Sequence, residues 1–446
     1  MIRHNYWKEY QSLQFEEDDI EYFSLDPFGE VASTFILQSD AFINIAVGSI
    51  RSGKTIATIV RFLRYIQSTD YTYFAMAGKT LKALKKNVVR PMKGIMRSLG
   101  IKYHHRKSDD EIDILNMGKL RTIVLYGVEK KGSDEIIKGS TYAGALLDEV
   151  TVMDPEGVHM LVSRNSDGDA KIFMTCNPGN PNNFVYTEYV NNQEKLANDD
   201  VKVVNFLIDD NPSLSPSYVR HIKSIYPEDS LFYKRNILNQ WVSGQGAIYD
   251  KFTDDNIYDT YMPLDWYDFV EVGSDYGTST TTCYEVIGIK EFEDHTQFDV
   301  IREQGYDAKR EGVTQTDAQR VDDIYNLQEE YHLEKNNTFY VSHDATSLLS
   351  ALEKDDRIKM SLDTFKPNTL ECIQEISSLF YKNYLRIHKS CTETIKQIQG
   401  YEWDTKAAQN GEDKPVKKDD HYPDAMRAPI ITHSNQKEIL AGVVHF

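Results

Sequence analysis

The chain has 446 residues, 40% hydrophobic and 27% charged, a length that suits two or three domains and can fill their cores without metal or disulfide staples. Its four cysteines, Cys176, Cys283, Cys372 and Cys391, form no C-x-x-C pair, which argues against structural zinc and fits a reducing compartment, the cytoplasm; the sequence shows neither a basic-then-apolar leader nor a run of 18 apolar residues, so secretion and membrane spanning are not expected. Net charge is −19, yet residues 1–245 contribute −2 and residues 246–446 contribute −17, which makes the two halves electrostatically different objects.

In chain order, "FINIAV" reads as a buried strand and "TIATIVRFLRYIQ" has apolar positions at helical spacing. Between them "GSIRSGKT", Gly48 to Thr55, fits G-x-x-x-x-G-K-[ST] at every required position. Gly48 and Gly53 permit backbone conformations and close approaches that let successive N–H groups point at phosphate oxygens. Lys54 supplies a cation for the outer phosphates, and Thr55 a hydroxyl for Mg²⁺ at the start of a helix whose dipole favours anions. Gly48, Arg51, Ser52, Gly53, Lys54 and Thr55 are therefore the candidate set for a nucleoside triphosphate. Tyr6, Trp7 and Phe15 could pack on its base or simply on the domain core.

From Lys79 to Lys107 there are ten Lys or Arg residues and no Asp or Glu. Such a cluster is more often a solvated face than a nucleic-acid site. "LRTIVLYGV" alternates like a strand, and "YAGALLDEV" reads as a buried strand delivering Asp148 and Glu149 at its end. A triphosphatase needs such a pair opposite its phosphate loop, Asp148 to hold Mg²⁺ through water and Glu149 as general base. "KIFMTCNP" follows as a strand running into Thr175, Asn177 and Pro178, a turn or a polar γ-phosphate sensor placed two strands from the loop.

"GQGAIYDKFTDDNIYDTYMPLDW" is rich in glycine and aspartate without clean periodicity and reads as a linker. Beyond it, "YDFVEVGSDYGTSTTTCYEVIGI" predicts two strands with Asp275 ending the first, and "TFYVSHD" a strand ending in Asp344. "KKDDHYPDAMRAPI" puts Asp420, His421 and Asp424 at the start of the closing helix, with His421 and Asp424 on one face. Singly, each aspartate is an ordinary turn residue or cap. Converging in a cleft, three carboxylates would repel, and one or two divalent cations are the natural neutraliser; two Mg²⁺ or Mn²⁺ ions about 4 Å apart can cleave a phosphodiester.

The ordered motifs "GSIRSGKT", "ALLDEV" and "TCNP", with "AGKTLKALKKNVV" and "NQWVSGQGAIYDKF", resemble the ATPase half of the large terminase subunits of tailed bacteriophages; "GSDYG", "SHDA" and "DDHYPDAMR" resemble the acidic motifs of that family's RNase H-like nuclease. The resemblance implies a P-loop α/β ATPase over 1–245 with a helical lid near 215–240, a linker over 246–265, and an RNase H-like domain over 266–446. It makes Arg51 the catalytic arginine, gives phosphate and Mg²⁺ to Lys54 and Thr55, makes Asp148 and Glu149 the metal and base carboxylates, and makes Gln38, ten residues before Gly48, the nearest candidate for the family's adenine-contacting glutamine. Thr175 to Asn177 and Pro178 would couple hydrolysis to movement. Asp275, Asp344 and Asp424 would be nuclease metal ligands, with His421 beside them as ligand or proton relay. The implied function is ATP-driven packaging of double-stranded DNA with metal-dependent cutting of concatemers; the alternative is a helicase-nuclease of DNA repair or recombination. Implied partners are DNA, a portal protein, a small terminase subunit and further copies in a ring on the procapsid, with a monomer in solution and the host cytoplasm as the location. One departure stands out: Arg427 is followed by Ala428 and Pro429, which predicts a shortened or kinked closing helix.

Overall fold

The computed structural model describes residues 27–440 apart from 117, 130, 131, 133, 134, 136, 278, 279 and 367, so Tyr6, Trp7 and Phe15 lie outside the described residues. It divides into two units, one built on the chain up to Ser243 with Gln409–Glu412, the other on Gly244–Ala408 with the chain from Asp413.

The first unit is built on strands β1 (Ile43–Gly48), β2 (Tyr73–Gly78), β3 (Lys102–Arg106), β4 (Glu111–Asn116), β5 (Lys119–Gly127), β6 (Gly144–Leu147), β7 (Lys171–Cys176) and β8 (Val201–Phe206), in the sheet order β3-β4-β5-β2-β6-β7-β1-β8. From β5 to β8 all neighbours run parallel, while β3, β4 and β5 pair antiparallel. Parallel strands covered on both faces need near-continuous apolar sequence, and β1 and β6 are buried at every residue. One face packs Phe74, Leu146 and Phe173 against Phe62 and Ile66 of helix Lys54–Ser68; the other packs Ile45, Leu147 and Met174 against Val158 and Leu161 of helix Pro155–Arg164.

The sequence expectation that Thr175 sits two strands from the phosphate loop is corrected here. Its strand, β7, pairs directly with β1, and β6 is the strand one place further out. The crossover from β1 to β2 leaves two vacant positions, which β6 and β7 fill in reverse of their distance along the chain.

Within the basic segment, Lys82, Lys86 and Arg90 are exposed, but Lys93 is buried with its ammonium 5.5 Å from the Tyr103 ring centre, and Arg97 Nε donates to Tyr103 Oη at 3.1 Å. Part of this charge therefore belongs to the packing. In the region read as a lid, helices Pro216–Ser224 and Leu231–Asn236 each begin with a serine cap, Ser215 and Ser230, accepting from Tyr218 N and Tyr233 N.

The second unit is built on β9 (Ile257–Tyr258), β10 (Phe269–Asp275), β11 (Thr281–Glu291), β12 (Thr296–Asp307), β13 (Thr338–Ser342), β14 (Ser361–Phe365) and β15 (Leu385–His388), in the order β14-β13-β10-β11-β12-β15-β9. β10, β11 and β12 form an antiparallel meander, and the remaining pairs are parallel. Ile257 and Tyr258, inside the stretch read as a linker, pair with β15 at the sheet edge. The closing helix is indeed broken, into His421–Ala425 and Arg427–Leu440. Pro429 has no N–H to donate back to Ala425, and the Ala425 carbonyl instead packs over Gly273, where a Cβ would lie 2.0 Å from that oxygen. A glycine in mid-strand is what lets this short helix approach the sheet. Among the described residues no helix is long and apolar enough to cross a membrane.

Candidate functional site

The phosphate loop leaves the end of β1 and is tied down on both sides: Ser49 N donates to Phe206 O at 2.9 Å, Ile50 N to Asn236 O at 3.0 Å, and Asn211 Nδ2 to Arg51 O at 2.8 Å. Arg51 (φ 57°) and Gly53 (φ 83°) are both left-handed, the turn that aims consecutive N–H groups inward before helix Lys54–Ser68 begins. Lys54 is only 8% exposed; its Nζ donates to Ser49 O at 3.2 Å, and burial lowers its pKa against the opposing pull of Asp148. The hydroxyls of Ser49 and Ser52 are buried without a hydrogen-bond partner. Thr55 follows in the first turn of the helix.

Strand register brings the other residues to the same edge. Leu147 pairs with Met174, so Asp148 follows beside Thr175; Val47 pairs with Cys176, so the loop starts beside Asn177. Thr175 Oγ1 donates to Asp148 Oδ1 at 2.7 Å and accepts from Glu149 N at 3.0 Å. Burial pushes Asp148 up to about 6, Glu149 adds to that, and the Thr175 hydroxyl and Lys54 oppose it. Glu149 is exposed with φ 57°, a conformation unfavourable for a side-chain-bearing residue, which turns it away from the strand path. Asn177 Oδ1 is buried and without a hydrogen-bond partner. Gln38 is not brought to the loop: its carbonyl accepts from Lys202 Nζ at the edge where β1 and β8 start.

Thr175→Val removes a hydroxyl that serves two partners at once. The first unit is expected to lose about 1–3 kcal/mol in urea unfolding, with ATPase activity falling because the Asp148 carboxylate loses its orientation. Unchanged stability and turnover would mean the hydroxyl contributes nothing.

In the second unit, Asp275 ends β10, and Asp344 lies two residues beyond β13, which runs parallel to β10; both leave the same edge of the sheet. His421 Nδ1 donates to Asp275 Oδ2 at 2.7 Å. That bond raises the His421 pKa against its burial, with Asp275, Asp420 and Asp424 adding to the rise. Asp424 is raised by burial; Arg427 and Lys417 oppose this, while Asp420 and Asp275 add to it. The structure thus gathers Asp275, Asp420, His421 and Asp424 into one electrostatic group. Asp344 instead accepts from Ser342 Oγ at 2.7 Å.

Two cations of this group were not assigned a role by sequence reasoning. Lys417 Nζ lies 3.1 Å from Asp420 and 3.5 Å from Asp424. Arg427, 1% exposed, places Nη1 2.7 Å from Asp424 and donates from Nη2 to Tyr401 Oη at 2.7 Å. The D-x-x-R spacing on one helical face was the available signal for Arg427; nothing local marks Lys417.

Among the described residues no group of three or more His, Cys, Asp or Glu side chains stands close enough to hold a metal ion. The donor chemistry nevertheless fits one. Asp420 Oδ2 and Asp424 Oδ1 are buried without an aligned hydrogen-bond donor, although each has a cation at ion-pair distance, and Asp420 and Asp275 oppose the ionisation of Asp424. A divalent cation would relieve both conditions.

The family model for the N-terminal part of the T4likevirus-type terminase large subunit matches residues 45–253. No curated protein matches the chain. Among solved structures, the large terminase of a thermophilic bacteriophage is 30% identical over 91% of this chain and 99% of its own, with a TM-score of 0.81. Its complex with ADP matches with the same values, and its complex with ATP-γ-S with 30% identity, 91% and 98% coverage and a TM-score of 0.80. With a P-loop NTPase unit followed by an RNase H-like unit, and this likeness along nearly its whole length, the chain belongs to the large terminase subunits of tailed bacteriophages, the ATPase-endonucleases that package viral DNA.

Proposed function

We propose a division of the packaging work between two sites at the two sheet edges. In the first unit ATP occupies the loop Gly48–Thr55. Lys54 and the loop N–H groups hold its phosphates, Thr55 and Asp148 hold Mg²⁺, and Arg51 meets the charge that develops on the γ-phosphate. Glu149 orients the attacking water, and Thr175 and Asn177 pass the change at the phosphate to β7. The observation that supports this best is the alignment of the loop, Asp148 and Thr175 at one edge, with Lys54 buried between loop and carboxylate. Nucleotide complexes of the thermophilic phage relative support ATP as the ligand.

In the second unit Asp275, Asp344 and Asp424 are the metal carboxylates, with His421 beside them. Bound there, two Mg²⁺ or Mn²⁺ ions would activate water and stabilise the leaving oxygen of the cut strand. The protein's own residues hold and orient this set: Asp275 fixes the His421 ring, and Arg427 fixes Asp424. The substrate is concatemeric double-stranded DNA. A portal protein, a small terminase subunit and further copies in a ring complete the machine, docked transiently on the procapsid in the host cytoplasm.

The test is a packaging reaction with matched procapsids, ATP and linear duplex DNA, read as DNA protected from added nuclease. Wild-type protein is expected to give protected DNA. Glu149→Gln should retain nucleotide affinity, because Glu149 acts on water, while turnover falls about 100-fold or more and protection disappears. ATP-dependent strand separation without protected DNA would instead support a helicase-nuclease.

A further inference from the structure

Strands β11 and β12 place two glutamates side by side: Glu285 stands directly opposite Glu303 across the antiparallel pair. Like charges in that arrangement destabilise a sheet, and here Glu285 is fully buried while Glu303 is half-buried. Thr394, in the first turn of helix Thr392–Gln399, lies between them. Its Oγ1 is 2.5 Å from Glu285 Oε1 and 2.7 Å from Glu303 Oε2. Glu303 also accepts from Glu393 N at 3.0 Å and Thr394 N at 2.7 Å, so it closes the N-terminus of that helix, where the dipole favours an anion.

Counting hydrogens decides the charge states. A threonine hydroxyl has one proton to give and lone pairs to accept with. Glu303 accepts from two backbone N–H groups and is the carboxylate that receives the Thr394 proton. The contact between Thr394 and Glu285 is then a hydrogen bond only if Glu285 brings a proton of its own. Burial and the charge of Glu303 both push Glu285 well above the usual carboxylate range, with the Thr394 contact opposing them.

Among the described residues, the influences on Glu285 are its burial, Thr394 and Glu303, with no cation among them. Cys391, just before the helix, is raised by burial and by the two glutamates. Cys283, on β11, is raised by burial, with Asp275 and Glu285 adding to it. Tyr422, from the short helix, is raised by burial and by Cys283, Glu303, Glu285 and Glu393. On β10 the residue opposite Glu285 is Gly273, which presents no side chain.

We propose that Glu285 is a protonated positioning residue for DNA cutting: its carboxylic acid donates to Thr394 Oγ1, which donates to the Glu303 carboxylate, and this chain fixes the helix that seats the nuclease residues. The connection is direct. Gln397, on the same helix, accepts from Tyr422 N at 3.0 Å, next to His421 and two residues from Asp424. The effect on cutting rests on the nuclease reading above, whereas the effect on stability does not.

A carboxyl group whose folded pKa is raised adds stability that is fully present below the ordinary carboxylate range and is lost as pH rises through the folded value. Urea unfolding of the full chain from about pH 5 to about pH 9, followed by hydrogen exchange in residues 392–399, reads this loss. Wild type is expected to lose folding equilibrium about tenfold per pH unit, through this one group, until Glu285 ionises. Glu285→Gln keeps the donor and cannot ionise, so it should remove that component and be relatively more stable at alkaline pH. Glu303→Gln, which loses the helix anion, should be destabilised across the whole range. Parallel pH profiles for wild type and Glu285→Gln, or equal destabilisation of Glu285→Gln at every pH, would overturn the proposal. In Mn²⁺-dependent cutting, Glu285→Gln should hold its activity to higher pH than wild type while ATPase profiles coincide. Coincident cutting profiles alongside the expected stability difference would overturn the positioning role. Undiminished cutting by Asp424→Asn would instead locate the failure in the nuclease reading.

Discussion

Lys54→Ala is expected to lower ATP turnover by roughly 10²–10³-fold or more, the scale on which removal of one well-placed electrostatic partner is felt in an enclosed site. The ammonium is buried at the junction of loop and helix, donating to Ser49 O and coupled to Asp148. Burial lowers its pKa, so the site holds a cation that its surroundings only partly support, which suits it to meet phosphate charge. Removing it also takes away one of the influences that hold Asp148 down, so the carboxylate, already at about 6, moves further up and is protonated over more of the neutral range. Both consequences act against Mg²⁺ and nucleotide. The measurement is steady-state ATPase with nucleotide affinity determined separately, and Mn²⁺-dependent plasmid cutting by the same variant should survive. Near wild-type turnover would remove the motor role from this loop.

Asp424→Asn should lower Mn²⁺-dependent plasmid cutting by about 10²-fold or more, since a metal carboxylate contributes several kcal/mol of charge stabilisation. Asparagine keeps the volume, so the short helix and its seat on Gly273 are retained. The substitution, however, leaves the buried Arg427 and the exposed Lys417 without the charge that faces both of them. Asp275→Asn is expected to match it, because the same change releases the His421 ring. His421→Ala should be milder, as a ring adds affinity or proton transfer without the charge that holds the ions. Asp344→Asn separates two geometries: a large loss means the carboxylate leaves Ser342 to join the others on metal binding. ATPase activity should persist in all four. Cutting in EDTA, or cutting that survives loss of both Asp275 and Asp424, would sink the two-metal reading.

The phosphate loop was legible because its requirements are local. A left-handed Gly53, a lysine and a threonine must follow one another between a buried strand and a helix, and no distant residue can supply that order. The apolar runs of β1, β6 and β7 were legible for a similar reason, since a strand covered on both faces has to be apolar throughout. The three acidic motifs were readable in order along the chain, and the break at Pro429 followed from the missing N–H. Tertiary structure alone decided that β7, and with it Thr175, lies beside β1, that Ile257 and Tyr258 join the second sheet, and that Lys417 and Arg427 stand against Asp424. It alone paired Glu285 with Glu303. Periodicity and backbone preference are properties of neighbouring residues, whereas lateral strand order, charge pairing and burial of an acid are settled by which distant segments exclude water from one another.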